Sequence, residues 1–146
     1  MNRTLVQNKR FYWLLAHTNL NEIEKAAWVY EHTGNRTAKS SEMTFEEMDA
    51  LLDDLQAWYN SMNRMRRKIF FRVSQILLAD ACVSEQVCLA YIHAIVGLNL
   101  PKRERLNDYR KEELYRILQK LDAIAPKQQS KYRQALKVLR LDNENN

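Results

Sequence analysis

Thr44-Phe-Glu-Glu-Met-Asp-Ala-Leu-Leu-Asp-Asp-Leu-Gln-Ala-Trp-Tyr-Asn-Ser-Met62 decides the fold class. Its first four residues form a capping box: the Thr44 hydroxyl accepts from the third helical N–H, and Glu47 reaches back to the cap's own N–H. Behind the box, Phe45, Met48, Leu51, Leu52, Leu55, Trp58 (with Tyr59) and Met62 recur at the i, i+3, i+4 and i+7 spacing of one helix face. The stripe returns in Leu114, Ile117, Leu118, Leu121 and Ile124, and Pro126 stands past its end. An Arg-rich segment opens into a helix over Ile69–Leu78, and a Ser84-capped helix runs to Gly97. Further helices near Lys9–Ala16, Asn21–His32 and Lys127–Leu141 bring the expected total to about seven.

Composition points the same way. The 146 residues hold two Gly and two Pro, too few for the tight turns of a sandwich, a barrel or a Rossmann sheet. With 46% hydrophobic residues the chain can bury a core, which excludes wholesale disorder. The expectation is an all-α, compact bundle in one domain over 1–141, followed by a frayed tail at 142–146. A weak internal repeat suggests two halves, 9–62 and 66–124, with the basic helix 127–141 added. Trp28–Gly34 precedes Glu46-Glu47 and Leu51-Leu52-x-x-Leu55; Tyr91–Gly97 precedes Glu112-Glu113 and Ile117-Leu118-x-x-Leu121.

Several function classes are disfavoured. The longest apolar run, Val87–Leu98, is 12 residues and includes His93, so no membrane span is expected. The opening residues lack a signal peptide's apolar stretch. Cys82 and Cys88 are six apart, on different helix faces, and two thiols in apolar surroundings suit a cytoplasmic setting. His17, His32 and His93 are scattered, and no Cys or His has zinc-ligand spacing. Two glycines cannot build a Walker A loop, a G-x-G-x-x-G turn or a nucleophile elbow. Glu46, Glu47, Asp49, Asp53 and Asp54 read as a solvated face opposite the apolar stripe. The expectation is a protein that is not an enzyme and has no cofactor, metal or small-molecule substrate.

Charge is divided unevenly. Residues 1–62 carry 6 Lys/Arg and 9 Asp/Glu, a net of −3; residues 63–146 carry 17 and 9, a net of +8. Such asymmetry is the composition's best pointer to a partner. Three basic clusters stand out: Arg64, Arg66, Arg67, Lys68 and Arg72; Lys102, Arg103, Arg105, Arg110 and Lys111; and Arg133, Lys137 and Arg140 on one stripe of the last helix, with Lys127 and Lys131 nearby. Two readings stand, a solvated basic surface or a face for DNA phosphates. The candidate nucleic-acid-binding residues are Arg64, Arg66, Arg67, Lys68 and Arg72, with Arg133, Lys137 and Arg140 as a second patch.

Ile76–Tyr91 has the outline of a helix-turn-helix. Leu78 would pack in the first helix, Cys82-Val83-Ser84 would turn, and Cys88 and Tyr91 would bury the second. That second helix offers no Arg, Lys or Asn to base edges after Gln86, so it belongs in a core. The doublets Trp58-Tyr59 and Phe70-Phe71 and the triplet Phe11-Tyr12-Trp13 cannot turn every ring inward. They suit helix packing or a homodimer seam, and only Phe70-Phe71 is interleaved with cations in the manner of a base-stacking site.

The stretch from His32-Thr-Gly-Asn-Arg-Thr through Leu55 resembles the Mu-like phage regulatory protein GemA family. Thr33, Gly34, Ser40, Met43, Thr44, Glu47, Leu51, Leu52 and Leu55 match its outline of a helix ending in Thr-Gly, a short Ser-bearing loop, Leu/Met-Thr, a glutamate and paired aliphatics. The second half departs from that signature, with Val96-Gly97 and Leu106-Asn107 in its place, and the basic last helix has no counterpart. The resemblance implies a phage- or prophage-encoded regulator of host transcription or DNA topology, and it carries no catalytic residues. Two functions follow: a regulator contacting DNA through the basic half, or an adaptor docking a host protein through the acidic half. A purely structural helical protein is the third reading.

Overall fold

Side chains reaching back to the free N–H groups of a first turn set the helix starts in this chain. The structure, a computed structural model, describes residues 2–79, 82–95, 100–124 and 138. Thr4 caps α1 (Leu5–Thr18) by accepting from the Gln7 N–H, while the Gln7 side chain accepts from the Thr4 N–H. Asn21 and Glu24 do the same for α2 (Glu22–His32), and Thr44 and Glu47 for α3 (Phe45–Ile76). Ser84 Oγ accepts from the Val87 N–H, 3.2 Å away, at the start of α4 (Glu85–Ile95). A fifth helix, α5, covers residues 111–124.

The architecture is all-α, with five α-helices and no strand among the described residues. Two of the expected segments are one: the Thr44–Met62 and Ile69–Leu78 helices run together as α3, 32 residues long. No Gly or Pro interrupts residues 63–68, and Met, Arg and Lys there are good helix formers, so nothing stops the helix. α1 also extends beyond the expected Lys9–Ala16 at both ends. Apart from Val138, the expected helix Lys127–Leu141 lies outside the described residues, as do the tail and Gly97.

The chain divides into two compact units. Unit 1 is Met1–Arg64 together with Asn107–Lys111. Its core is Phe11, Leu14, Val29, Met43, Met48, Leu51, Leu52 and Leu55, with Leu15, Leu20, Trp28 and Tyr59 packed on it. Burying each large apolar side chain contributes about 1.5–3 kcal/mol. The returning segment is tied in by its own bonds. Tyr109 is fully buried, the Asn19 side-chain amide donates to the Asn107 and Tyr109 carbonyls, and Arg110 pairs with Glu24.

Unit 2 is Met65–Leu106 together with the chain from Glu112 onward. It buries Ile69, Val73 and Ile76 of α3, Cys88, Leu89 and Ile92 of α4, and Leu114, Ile117, Leu118 and Leu121 of α5. Ser74 Oγ donates to the Phe70 carbonyl and accepts from the Val83 N–H, which pins the chain after α3. The helix-turn-helix outline needs one correction. α3 ends at Ile76, and Leu78 has φ 56° and is 56% exposed, so it terminates the helix instead of packing within it. Cys88 is buried as expected of the second helix, whereas Tyr91 is half-buried. Among the described residues, no helix is long and apolar enough to cross a membrane.

Candidate nucleic-acid interface

The C-terminal part of α3 sorts its charges by register. Ile69, Val73 and Ile76 face inward, so the residues between them turn outward or to the flank. Arg67 and Lys68 are exposed and have no ion-pair partner among the described residues. Arg66 sits on the inward side at 6% exposure, so its charge is not offered at the surface. Arg72 is half-buried and fixed in place. Its Nε donates to Asp122 Oδ1 at 2.9 Å and its Nη1 to Gln75 Oε1 at 3.0 Å.

Lys68 and Arg72 meet in a groove of about 540 Å³ within unit 2. Met65, Lys68, Phe71 and Arg72 line it from α3, and Tyr115, Leu118, Gln119 and Asp122 from α5. The α5 row has i, i+3, i+4 and i+7 spacing, so it forms one continuous face. Phe71 and Tyr115 are 55% and 54% exposed. Arg116 and Lys120, also exposed, follow Tyr115 and Gln119 on α5.

The remaining predicted residues are placed differently. Arg64 belongs to unit 1, where the partial burial of Lys111 and, second, the Arg64 charge lower the Lys111 ammonium's pKa. Lys111 Nζ lies 3.9 Å from the centre of the Trp58 ring. Arg133, Lys137 and Arg140 lie outside the described residues. In the middle cluster Arg103 pairs with Glu113 and Arg110 with Glu24, while Lys102 and Arg105 are exposed. Much of that cluster therefore has structural partners.

Sequence reasoning missed Tyr115, Gln119 and Asp122. A signal was present for the first: Tyr115 falls off the Leu114, Ile117, Leu118 and Leu121 stripe, which marks an outward ring. Which α3 residues it would accompany is a tertiary fact that no spacing conveys.

The acidic residues of α3 also divide. Glu47 caps the helix and pairs with Arg36, and its pKa is lowered, first by the Thr44 N–H and then by Arg36 against an opposing effect of burial. Asp54 Oδ2 is 2.7 Å from His32 Nε2, and His32 Nδ1 is 2.7 Å from the Trp28 carbonyl. Glu46, Asp49 and Asp53 are exposed.

The residues that carry the family resemblance hold the loop and helix start. Thr33 Oγ1 donates to the Thr37 carbonyl at 2.9 Å, and Gly34 adopts φ 61°, where a side chain is unfavourable. Met43 is buried at the core, Thr44 and Glu47 cap α3, and Leu51, Leu52 and Leu55 are core residues. No family model, curated protein or solved structure matches the chain. Among the described residues, no group of three His, Cys, Asp or Glu is placed to hold a metal ion.

Proposed function

We propose that the protein is a non-enzymatic, phage- or prophage-type regulator, working in the cytoplasm, that contacts DNA through its basic C-terminal half, mainly at phosphates. The observation that carries this reading is the pair Arg67 and Lys68, exposed and without ion-pair partners among the described residues, next to the fixed guanidinium of Arg72. Cations spent on internal pairs have little left for a ligand, whereas unpaired surface cations release counterions when they meet phosphates. A helix over Lys127–Leu141, presenting Arg133, Lys137 and Arg140, belongs to the same proposal. The test is fluorescence anisotropy of a random duplex between about 50 and about 250 mM salt, where phosphate contacts make affinity fall steeply. Absence of binding at the lowest salt overturns the reading.

A second reading, an adaptor for a basic host protein, draws on the exposed row Glu46, Asp49 and Asp53, which lie at i, i+3 and i+7 on α3. It predicts that a captured protein survives nuclease treatment and is lost when these three become Gln, Asn and Asn. Capture abolished by nuclease contradicts it.

A further inference from the structure

The groove of unit 2 combines two features that a duplex-phosphate surface does not need. Phe71 and Tyr115 are exposed, line one concavity, and have no aromatic partner among the described residues. In unit 1, Trp13, Trp28 and Tyr59 are engaged with neighbouring rings, and Tyr30, exposed without a ring partner among the described residues, does not line a groove with a second ring. Leaving two large rings half in water forfeits burial that helix packing normally captures. The rings are also bordered by charge, since Lys68 and Arg72 share the lining while Arg67 and Arg116 stand one residue from Lys68 and Tyr115.

We propose that this groove takes single-stranded nucleic acid, a reading that rests on the DNA-contacting function above. An unpaired base stacks on Phe71 and Tyr115, and its flanking phosphates meet Lys68, Arg67 and Arg116. Bases inside a duplex have both faces covered by neighbours, so rings set in a concavity between two helices can stack only on a base that has left the duplex. Arg72 is already engaged by Asp122 and Gln75, so it borders the groove as a fixed planar group and leaves the phosphates to the cations without ion-pair partners among the described residues. Gln119 brings an amide with both donor and acceptor to the same groove. Stacking is tolerant of base identity, which suits a site without a set of base-reading donors. A helix from a protein partner would instead favour an aliphatic groove without a cationic border; the cations here complement a polyanion.

The experiment compares a fluorescein-labelled thymidine strand of about twelve nucleotides with a duplex of the same length, using the full chain and Phe71→Ala and Tyr115→Ala variants. The single strand is expected to bind more tightly than the duplex. Each alanine should weaken strand binding by about 5- to 150-fold, the size of one base–aromatic stack, while duplex binding stays within about twofold. Tyr115→Phe should retain strand binding because the π-face remains. Both rings are exposed, so folding should persist, as circular dichroism melting would verify; Phe71→Leu, which keeps apolar volume without the ring, replaces any alanine variant that fails to fold. Salt-sensitive duplex binding with no strand preference overturns the groove assignment and leaves the DNA-contacting function standing. Binding of neither oligonucleotide overturns both. Alanine variants that lose self-association in sedimentation but keep strand affinity assign the rings to a seam between copies and overturn the proposal.

Discussion

Replacing Arg67 and Lys68 together with Gln removes two exposed cations from α3 and leaves its buried row of Ile69, Val73 and Ile76 unchanged. If each contacts one phosphate, the slope of log affinity against log salt becomes shallower by about 0.9 per contact, or about 1.8 in all, on duplex DNA. From about 50 to about 250 mM salt the logarithm rises by about 0.7, so the gap between wild type and variant closes by about 20-fold over that window. The comparison that gives this force is Arg66→Ala. Arg66 is 6% exposed, so its loss removes packing and buried polar contacts and should lower stability by about 1–3 kcal/mol without altering the slope. Anisotropy titrations at four or five salt concentrations, paired with urea denaturation, separate the two effects. An Arg67/Lys68 variant with the wild-type slope, or an Arg66 variant with full stability and a shallower slope, refutes the assignment of surface and interior charges.

Three further outcomes are expected. The Glu47 carboxyl has a lowered pKa in the fold, so its stabilisation is present above the ordinary carboxylate range and is lost as pH falls through the lowered value; Glu47→Gln should be less stable at neutral pH, the difference shrinking on acidification, and a pH-independent gap in urea midpoints contradicts this. Burial, with a smaller effect of Glu85, pushes the Cys88 thiol up to about 12, whereas Cys82 is exposed; a thiol reagent at mildly alkaline pH should count one cysteine in the native protein and two in denaturant, and two fast-reacting thiols in the native state contradict it. Gly34→Ala should lower stability by about 1–2 kcal/mol through its φ of 61°, with no steric clash because the space around the added methyl is open, and an unchanged urea midpoint counts against that origin.

Local chemistry was legible and long-range pairing was not. The Thr44–Glu47 box could be read because cap and partner are three residues apart, and the face carrying Met48, Leu51, Leu52 and Leu55 could be read because helical period decides which side turns inward. Phe45, Trp58 and Tyr59, named in the same stripe, are only half-buried, since the stripe's ends and flanks depend on what packs there. The segment around Arg64–Lys68 looked like an opening to a new helix because it is polar; its missing Gly and Pro were the better guide to continuity. For the interface, Arg66 and Arg67 are indistinguishable by composition, and only the phase of α3 against its buried residues separates them. Tyr115 and Asp122 lie 44 and 50 residues after Phe71 and Arg72, beyond any periodicity.

Asn107–Lys111, the short stretch that completes unit 1, also sets a timetable for synthesis. Tyr109 is fully buried there, yet the 47 residues from Met65 to Lys111 leave the ribosome after Arg64 does. At about 5–20 residues per second, that is a wait of roughly 2 to 9 s during which the nascent N-terminal helices have no Tyr109 to close over. Any chain cut short before residue 107 leaves that place empty permanently, so a premature stop in the basic half also damages the acidic one.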